Sequence, residues 1–358
     1  MKIAYLGQMA DISTENGISK KIRTQCLAWQ TAAHEVRYFS LTPTTAVWQG
    51  MQPVPVEVIR RGGVMHRAVQ SLRLARQIRA WRPDAIYFRY AYHSPGLVRL
   101  FREIPTVAEI NSDDLAEYPL TLSRAKVAYH RLTRNRILRA VAGFITVTNE
   151  LAGRLAGFGK PGEVIGNGIA LADFPLLPPP DSERPPRLVF MGSAGSPWHG
   201  LDRVTDLARL IPGMPIDIIG ESTPAAPLPT AIHFHGPLTR ERYEPLLRAA
   251  TVAIGTMALY TKHMDEACPL KAREYLALGL PVIGAYQDTD IPTDADYFLR
   301  LPNNSESLAP WRDRISTFIE YWRTRRVPRS AIAHLDVSVK EAQRLAFMEK
   351  ILAVFRHA

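Results

Sequence analysis

Short apolar runs alternate along this chain with longer stretches whose apolar residues recur every three or four positions. The first pattern reads as buried strand and the second as amphipathic helix, and their alternation predicts parallel α/β structure. Strands are predicted over 2–6, 34–40, 56–59, 85–88, 106–110 and 143–148, with a short one at 164–165 before the turn Gly166-Asn167-Gly168. Helices fall between them at 17–32, 66–81, 95–102, 123–140 and 150–158. Residues 175–186, PLLPPPDSERPP, then break the pattern, because proline holds neither a helix nor a central strand. A second strand series follows at 187–191, 216–219, 231–235, 252–255, 281–285 and 297–301, with helices at 201–210, 239–249, 269–278 and 305–323. A last helix is predicted over roughly 338–355.

The expected organisation is a first Rossmann-like domain over 1–175, a linker over 176–186, and a second such domain over 187–335. A terminal segment, 336–358, follows the second domain. Ligands of open α/β sheets bind outside the carboxyl ends of the strands, so two doubly wound domains predict a pocket between them. Such a fold does not by itself name a chemistry.

Charge sharpens this. The 358 residues carry 44 Lys+Arg against 34 Asp+Glu, a net +10. Residues 1–180 hold 23 basic and 13 acidic residues, so the whole excess lies in the first half. Two stretches without any acid account for it. Residues 58–83 carry Arg60, Arg61, Arg67, Arg73, Arg76, Arg79 and Arg82; residues 118–149 carry Arg124, Lys126, Arg131, Arg134, Arg136 and Arg139. An acidic partner is implied: nucleic acid, an anionic membrane or a phosphorylated substrate. Two cysteines, Cys26 and Cys268, make no disulfide framework, which points to a reducing, cytoplasmic setting. No apolar run approaches the ~20 residues of a membrane-spanning helix. The short run Ile3–Leu6 suits a first strand better than a signal peptide.

The most informative segment is Glu266-Ala-Cys268-Pro269-Leu270-Lys271-Ala-Arg-Glu274-Tyr-Leu-Ala-Leu-Gly279-Leu-Pro281-Val-Ile283. Pro269 suits a first helical position and Gly279 a helix C-terminal cap. The N–H groups of Leu270 and Lys271 at that helix start can take a phosphate, favoured by the helix dipole by roughly 0.3–1 kcal/mol. Glu266 before the helix and Glu274 within it suit bonds to neighbouring sugar or ribose hydroxyls.

With its strand, loop and proline start, this segment resembles the signature of the retaining, GT-B-fold nucleotide-sugar glycosyltransferases of family 4 (glycosyl transferases group 1), in which two glutamates eight residues apart run into an "EYLALGLPVI"-like sequence. Other stretches resemble that family in the right order: Ile165-Gly-Asn167-Gly168 through Phe174, Phe190-Met-Gly192-Ser193 through His199-Gly200, Ile218-Ile219-Gly220-Glu221, His235-Gly236-Pro237-Leu238, and Asn16-Gly17 after the first strand. The resemblance implies an α/β GT-B fold with two domains facing a cleft and a C-terminal helix returning to the first. It further implies that Glu274 holds the ribose, that Glu266 contacts the donor sugar, and that backbone at Cys268, Pro269, Leu270 and Lys271 faces the diphosphate of a UDP- or GDP-sugar. Gly236, Pro237 and Leu238 would lie beside the base, and Ser193 in the loop after the second domain's first strand. Gly17 would let backbone approach the phosphate or sugar closely. No cofactor or metal is implied; cations and helix dipoles would carry the leaving charge.

Two places depart from the family pattern. Where a lysine often neutralises the diphosphate stands His199, which carries charge only if protonated. Lys271 or Lys262 would otherwise compensate. Where a histidine often lies near the acceptor stands Asn111, which orients a hydroxyl but cannot act as a base. Glu109, Asp113 or Asp114 would then take the proton, or the leaving phosphate would do so in front-side attack. Asp113-Asp114 also suits a helix N-cap.

His233 and His235 alternate on a strand, but no third ligand has metal-site spacing, and His263-Met-Asp-Glu266 is not HExxH. The leading expectation is a transferase acting on a glycan or lipid-linked acceptor in polysaccharide biosynthesis, peripheral on the inner face of a membrane. No recognition motif accompanies the basic helices, so anionic lipid explains them better than nucleic acid. The alternatives are a nucleic-acid-binding or scaffold protein on a degenerate GT-B fold, and a sugar-nucleotide epimerase.

Overall fold

The computed structural model describes residues 1–8, 17–42, 54–60, 64–193, 195–224 and 227–356. Asn16 and Arg61 lie outside them. The chain divides into two compact units, Met1–Gly168 with Val337–Ala358, and Ile169–Asp336.

The first unit winds β1 (Lys2–Gly7), α1 (Gly17–Thr31), β2 (Glu35–Thr42), β3 (Val56–Arg60), α2 (Val64–Trp81), β4 (Ala85–Arg89), α3 (Leu97–Glu103), β5 (Thr106–Ile110), α4 (Asp114–Thr121), α5 (Arg124–Ala140), β6 (Gly143–Thr146), α6 (Asn149–Leu155) and β7 (Gly162–Val164). Its seven strands pair in parallel in the order β3-β2-β1-β4-β5-β6-β7. The order reverses between β1 and β4, where Leu6 aligns with Phe39 on one side and Phe88 on the other. All three are buried, as a strand covered on both faces requires.

The second unit winds β8 (Leu188–Met191), α7 (Leu201–Leu210), β9 (Ile216–Ile219), β10 (Ile232–Gly236), α8 (Arg240–Ala249), β11 (Val252–Ile254), β12 (Glu266–Ala267), α9 (Leu270–Ala277), β13 (Val282–Gly284), β14 (Gln287–Asp288), β15 (Phe298–Arg300) and α10 (Arg312–Tyr321). Its main sheet runs β10-β9-β8-β11-β13-β15, with β12 and β14 paired apart from it. The last helix, α11 (Val337–Arg356), belongs to the first unit. Its Leu345, Phe347, Met348 and Ile351 join the core built on Ile3, Tyr5 and Trp29.

Both sheets therefore follow the doubly wound strand order, with switch points at β1/β4 and β8/β11. The division of the chain differs from the expected boundary at 175 and linker over 176–186. Leu177 is buried in the second unit's core and its N–H donates to Leu278 O at 3.1 Å. Arg326 Nε reaches Pro178 O at 3.0 Å, and Arg323 reaches Ser182 O at 3.1 Å. Prolines without N–H groups cannot join a sheet, but their carbonyls still accept, so the segment lies on the second unit as a cover.

Candidate functional site

The second unit's switch point is built by α9. Pro269 caps the helix in extended backbone rather than opening it, one residue off the expected position. The helix ends in a paired backbone cap: Leu280 N–H donates to Tyr275 O at 2.9 Å and Gly279 N–H to Leu276 O at 2.9 Å. Gly279 takes φ +84, which this cap requires. Tyr275 and Lys271 lie one turn apart and grip one residue at the end of β8. Met191 N–H donates to Tyr275 Oη at 2.7 Å, and Lys271 Nζ donates to Met191 O at 3.0 Å. The first turn of α9, whose N–H groups have no intrahelical acceptor, is thereby fixed at the carboxyl end of β8.

The remaining strand ends are drawn together by close backbone approach. Gly220, after β9, has φ +86, and a Cβ there would fall 2.4 Å from Gly192 O. Gly192 N–H donates to Ile219 O at 2.8 Å, and Gly220 N–H to Gly236 O at 2.7 Å. Ser193, Gly236, Pro237 and Leu238 thus follow the carboxyl ends of β8 and β10, and Leu238 packs on the core beneath. His199 closes the loop after β8: its Nδ1 accepts the Ser193 N–H at 3.1 Å, so the ring proton sits on Nε2. Met257 N–H donates to His199 O at 3.1 Å and Ala258 N–H to Trp198 O at 3.1 Å. Trp198 stacks under the Lys262 ammonium at 4.5 Å. The loop therefore rests on its own unit.

Electrostatics decides which group here carries positive charge. Burial, then the nearby Lys271 and Lys262, push the His199 pKa down to about 2, so the ring is neutral. His199 cannot supply the charge of the lysine expected in its place; as a neutral acceptor it shapes the loop. Lys271 lies 4.4 Å from the Phe190 ring, and burial lowers its pKa to about 7 against the pull of Glu221. Burial in turn raises the Glu221 carboxyl.

The glutamate pair occupies separate positions. Glu274 Oε1 accepts from Tyr243 Oη of α8 at 2.8 Å, which orients the carboxylate. Glu266 lies on β12, in register with Gln287. Cys268 turns inward: its thiol accepts from Arg273, which also binds Asp288 at 2.7 and 2.9 Å and Asp290 at 3.0 Å. Cys268, Asp288 and Asp290 cluster as metal ligands would, but the fully buried guanidinium fills the cation's place. His235 bonds Asp217 at 2.8 Å, and Arg187 bonds the same carboxylate at 2.7 Å, a structural pairing.

At the first unit's carboxyl edge, Asn111 is held from both ends. Its Nδ2 donates to Glu109 Oε2 at 3.1 Å, and its Oδ1 accepts from Lys21 Nζ at 3.0 Å. Glu109 is fully buried and also accepts from Lys21 at 2.8 Å and Arg89 at 3.3 Å, with Arg344 at 3.6 Å. Burial alone would raise its carboxyl; the three cations reverse this and hold it well below the usual range. Asp113 caps α4 through the Leu115 N–H at 2.9 Å and pairs with Arg154. Asp114 is bound by His130, Tyr90 and Arg134; burial would raise its carboxyl, but His130 and Arg134 outweigh it and lower the pKa. None of the three carboxylates offered as a proton acceptor is therefore poised as a base. Gly17 opens α1 and is exposed.

Sequence reasoning missed Tyr243, Tyr275, Lys21 and Arg344. The first two sit at core positions of their helices, where an aromatic signals only packing. The two cations lie on buried helix faces that also carry polar residues, Ser19 and Gln25 on α1 and Lys340 and Glu341 on α11, so nothing in the sequence names their partners.

Residues 16–168 match a family model described as a glycosyl transferase 4-like domain. A search of curated proteins found no match. Among solved structures, the chain is similar to the sucrose-phosphate synthase of Thermosynechococcus elongatus, at 16% identity over 99% of this chain and 97% of that one, TM-score 0.65. It is similar to the lipopolysaccharide outer core galactosyltransferase WaaB, at 12% identity over 98% of this chain and 100% of that one, TM-score 0.67. Anabaena HepE, solved in complex with UDP and glucose, matches at 15% identity over 98% of this chain and 100% of that one, TM-score 0.65. At these identities the neighbours establish the fold alone, and the family match is confined to the first unit. The chain has the GT-B fold, and its residues 16–168 match a glycosyl transferase 4-like domain.

Proposed function

We propose that this enzyme moves a sugar, with retention, from a nucleotide diphosphate donor to a hydroxyl of a glycan or lipid-linked acceptor. The observation that carries the reading is the grip of Lys271 and Tyr275 on Met191, which fixes the start of α9 and a cation at the second unit's switch point. The diphosphate of a UDP- or GDP-sugar lies against the N–H groups of Leu270 and Lys271 and the Lys271 ammonium. Glu274, oriented by Tyr243, takes the ribose hydroxyls, and Glu266 takes a hydroxyl of the sugar ring. Gly236, Pro237 and Leu238 flank the base.

In the transfer, the acceptor oxygen bonds to the anomeric carbon as that carbon's bond to the diphosphate oxygen breaks on the same face. The acceptor's proton passes to the departing phosphate, since Glu109, Asp113 and Asp114 are held as low-pKa carboxylates or caps. Asn111 orients the acceptor hydroxyl. Lys271, Lys262 and the α9 dipole stabilise the leaving charge, so the reading calls for no metal ion. Thermal stabilisation by UDP and GDP tests it. Glu274→Ala is expected to weaken nucleotide binding about 10- to 150-fold, the worth of a charged hydrogen bond at about 1.5–3 kcal/mol. Equal binding by wild type and variant would remove Glu274 from the site.

A further inference from the structure

Two helices of the first unit repeat one exposed pattern. On α2, Val69 and Leu72 are 51% and 47% exposed, and Arg73 and Arg76 continue the same face. On α5, Tyr129 and Leu132 are 43% and 79% exposed, and Arg136 and Arg139 continue theirs. Each helix returns the chain to the start of a parallel strand. Its apolar half therefore lies toward the carboxyl edge of the sheet, and its arginine half toward the other edge.

The start of α3 joins the two helices into one surface. Leu72 lies against Gly96, where an added Cβ would fall 2.7 Å from Leu72 Cδ2. His93 Nδ1 and Tyr129 Oη are 2.8 Å apart. His93 also feels cations from both sides: after burial, Arg136 and Arg67 lower its pKa. Neither basic stretch contains an acid, and Glu103 on α3 is already bound by Arg79 and Arg99.

A single exposed leucine is ordinary. Two exposed apolar pairs, Val69 with Leu72 and Tyr129 with Leu132, each continued by arginines and joined through residues 93–96, are not. We propose that this α2/α5 face docks on an anionic lipid bilayer. The apolar pairs enter the boundary between headgroups and acyl chains, and Arg73, Arg76, Arg136 and Arg139 lie against the headgroup phosphates. Nucleic acid would satisfy the arginines but leave the aliphatic half of the face in water. The surface goes beyond the donor reading, and vesicle binding needs no sugar nucleotide, so each can fail alone.

Co-sedimentation with phosphatidylcholine vesicles, with and without phosphatidylglycerol, tests it. The protein is expected to bind the vesicles that contain phosphatidylglycerol. The double variant Arg136→Ala/Arg139→Ala is expected to bind them about 25-fold more weakly, about fivefold per arginine. Leu132→Ser is expected to lose about tenfold, with the same melting temperature as wild type because the side chain is exposed in the free protein. Indifference to phosphatidylglycerol, wild-type binding by both variants, or retention on duplex DNA without vesicle binding would each overturn the assignment.

Discussion

Both units thread their strands in the same order, yet their carboxyl edges treat charge in opposite ways. In the first unit the charges satisfy one another. Glu109 is enclosed by Lys21, Arg89, Arg344 and Asn111, while Arg344 also binds Glu341, Tyr87 and the Ile165 and Gly166 carbonyls. Glu341 in turn accepts from Trp29 and Gln25. Burial lowers Lys21 there to about 8 and raises Glu341, but both are ion-paired. In the second unit the edge holds Lys271 with its pKa down near 7 and bonded to a backbone carbonyl, a neutral histidine and a glutamate raised by burial. The first arrangement spends charge on fixing geometry. The second leaves charge that an arriving anion would change.

The largest effect should come from unbalancing the closed edge. Glu109→Gln leaves Lys21, Arg89 and Arg344 around a neutral amide. Removing one partner of a buried ion pair costs about 3–5 kcal/mol, so urea unfolding of the variant should show a correspondingly lower midpoint. A midpoint equal to wild type would mean that the cluster contributes no stability. The open edge should respond differently. Lys271→Met is expected to leave stability near wild type, because it removes a cation that burial disfavours. It is expected to cost about 10- to 150-fold in UDP or GDP affinity measured by calorimetry, about 1.5–3 kcal/mol for a charged hydrogen bond. A large stability loss with unchanged affinity would make Lys271 structural.

Much of this was legible in the chain. The alternation of apolar runs named nearly every strand, and the segment from Glu266 to Ile283 placed α9 and its glycine cap. Strand β12, only two residues long, carries no periodic signal. Helix α4 holds Pro119 in its interior and was not predicted, although the cap at Asp113-Asp114 was. The polyproline stretch read as a linker because composition records what proline cannot do, not what its carbonyls can accept. At the candidate site, the resemblance named the two glutamates and the proline marked the helix start to within one residue, but the state of His199 depends on burial and on two lysines distant in sequence. The pairing of Lys21 with Glu109, 88 positions apart, is likewise a product of the fold.

Lys271 is the cation proposed to meet the donor diphosphate. Bound phosphate favours the protonated amine, so the bound-state pKa exceeds the free value near 7. Affinity is then greatest below that pH and falls as pH rises through and above it, while the neutral His199 adds no slope. Calorimetric titration of UDP across pH 6–9 (a span of about three units around the lysine's value) measures this directly, in wild type and in Lys271→Met. The prediction is a wild-type affinity that falls above pH about 7, by up to about tenfold per unit, and no such fall in the variant. The same pH profile in both proteins would contradict it.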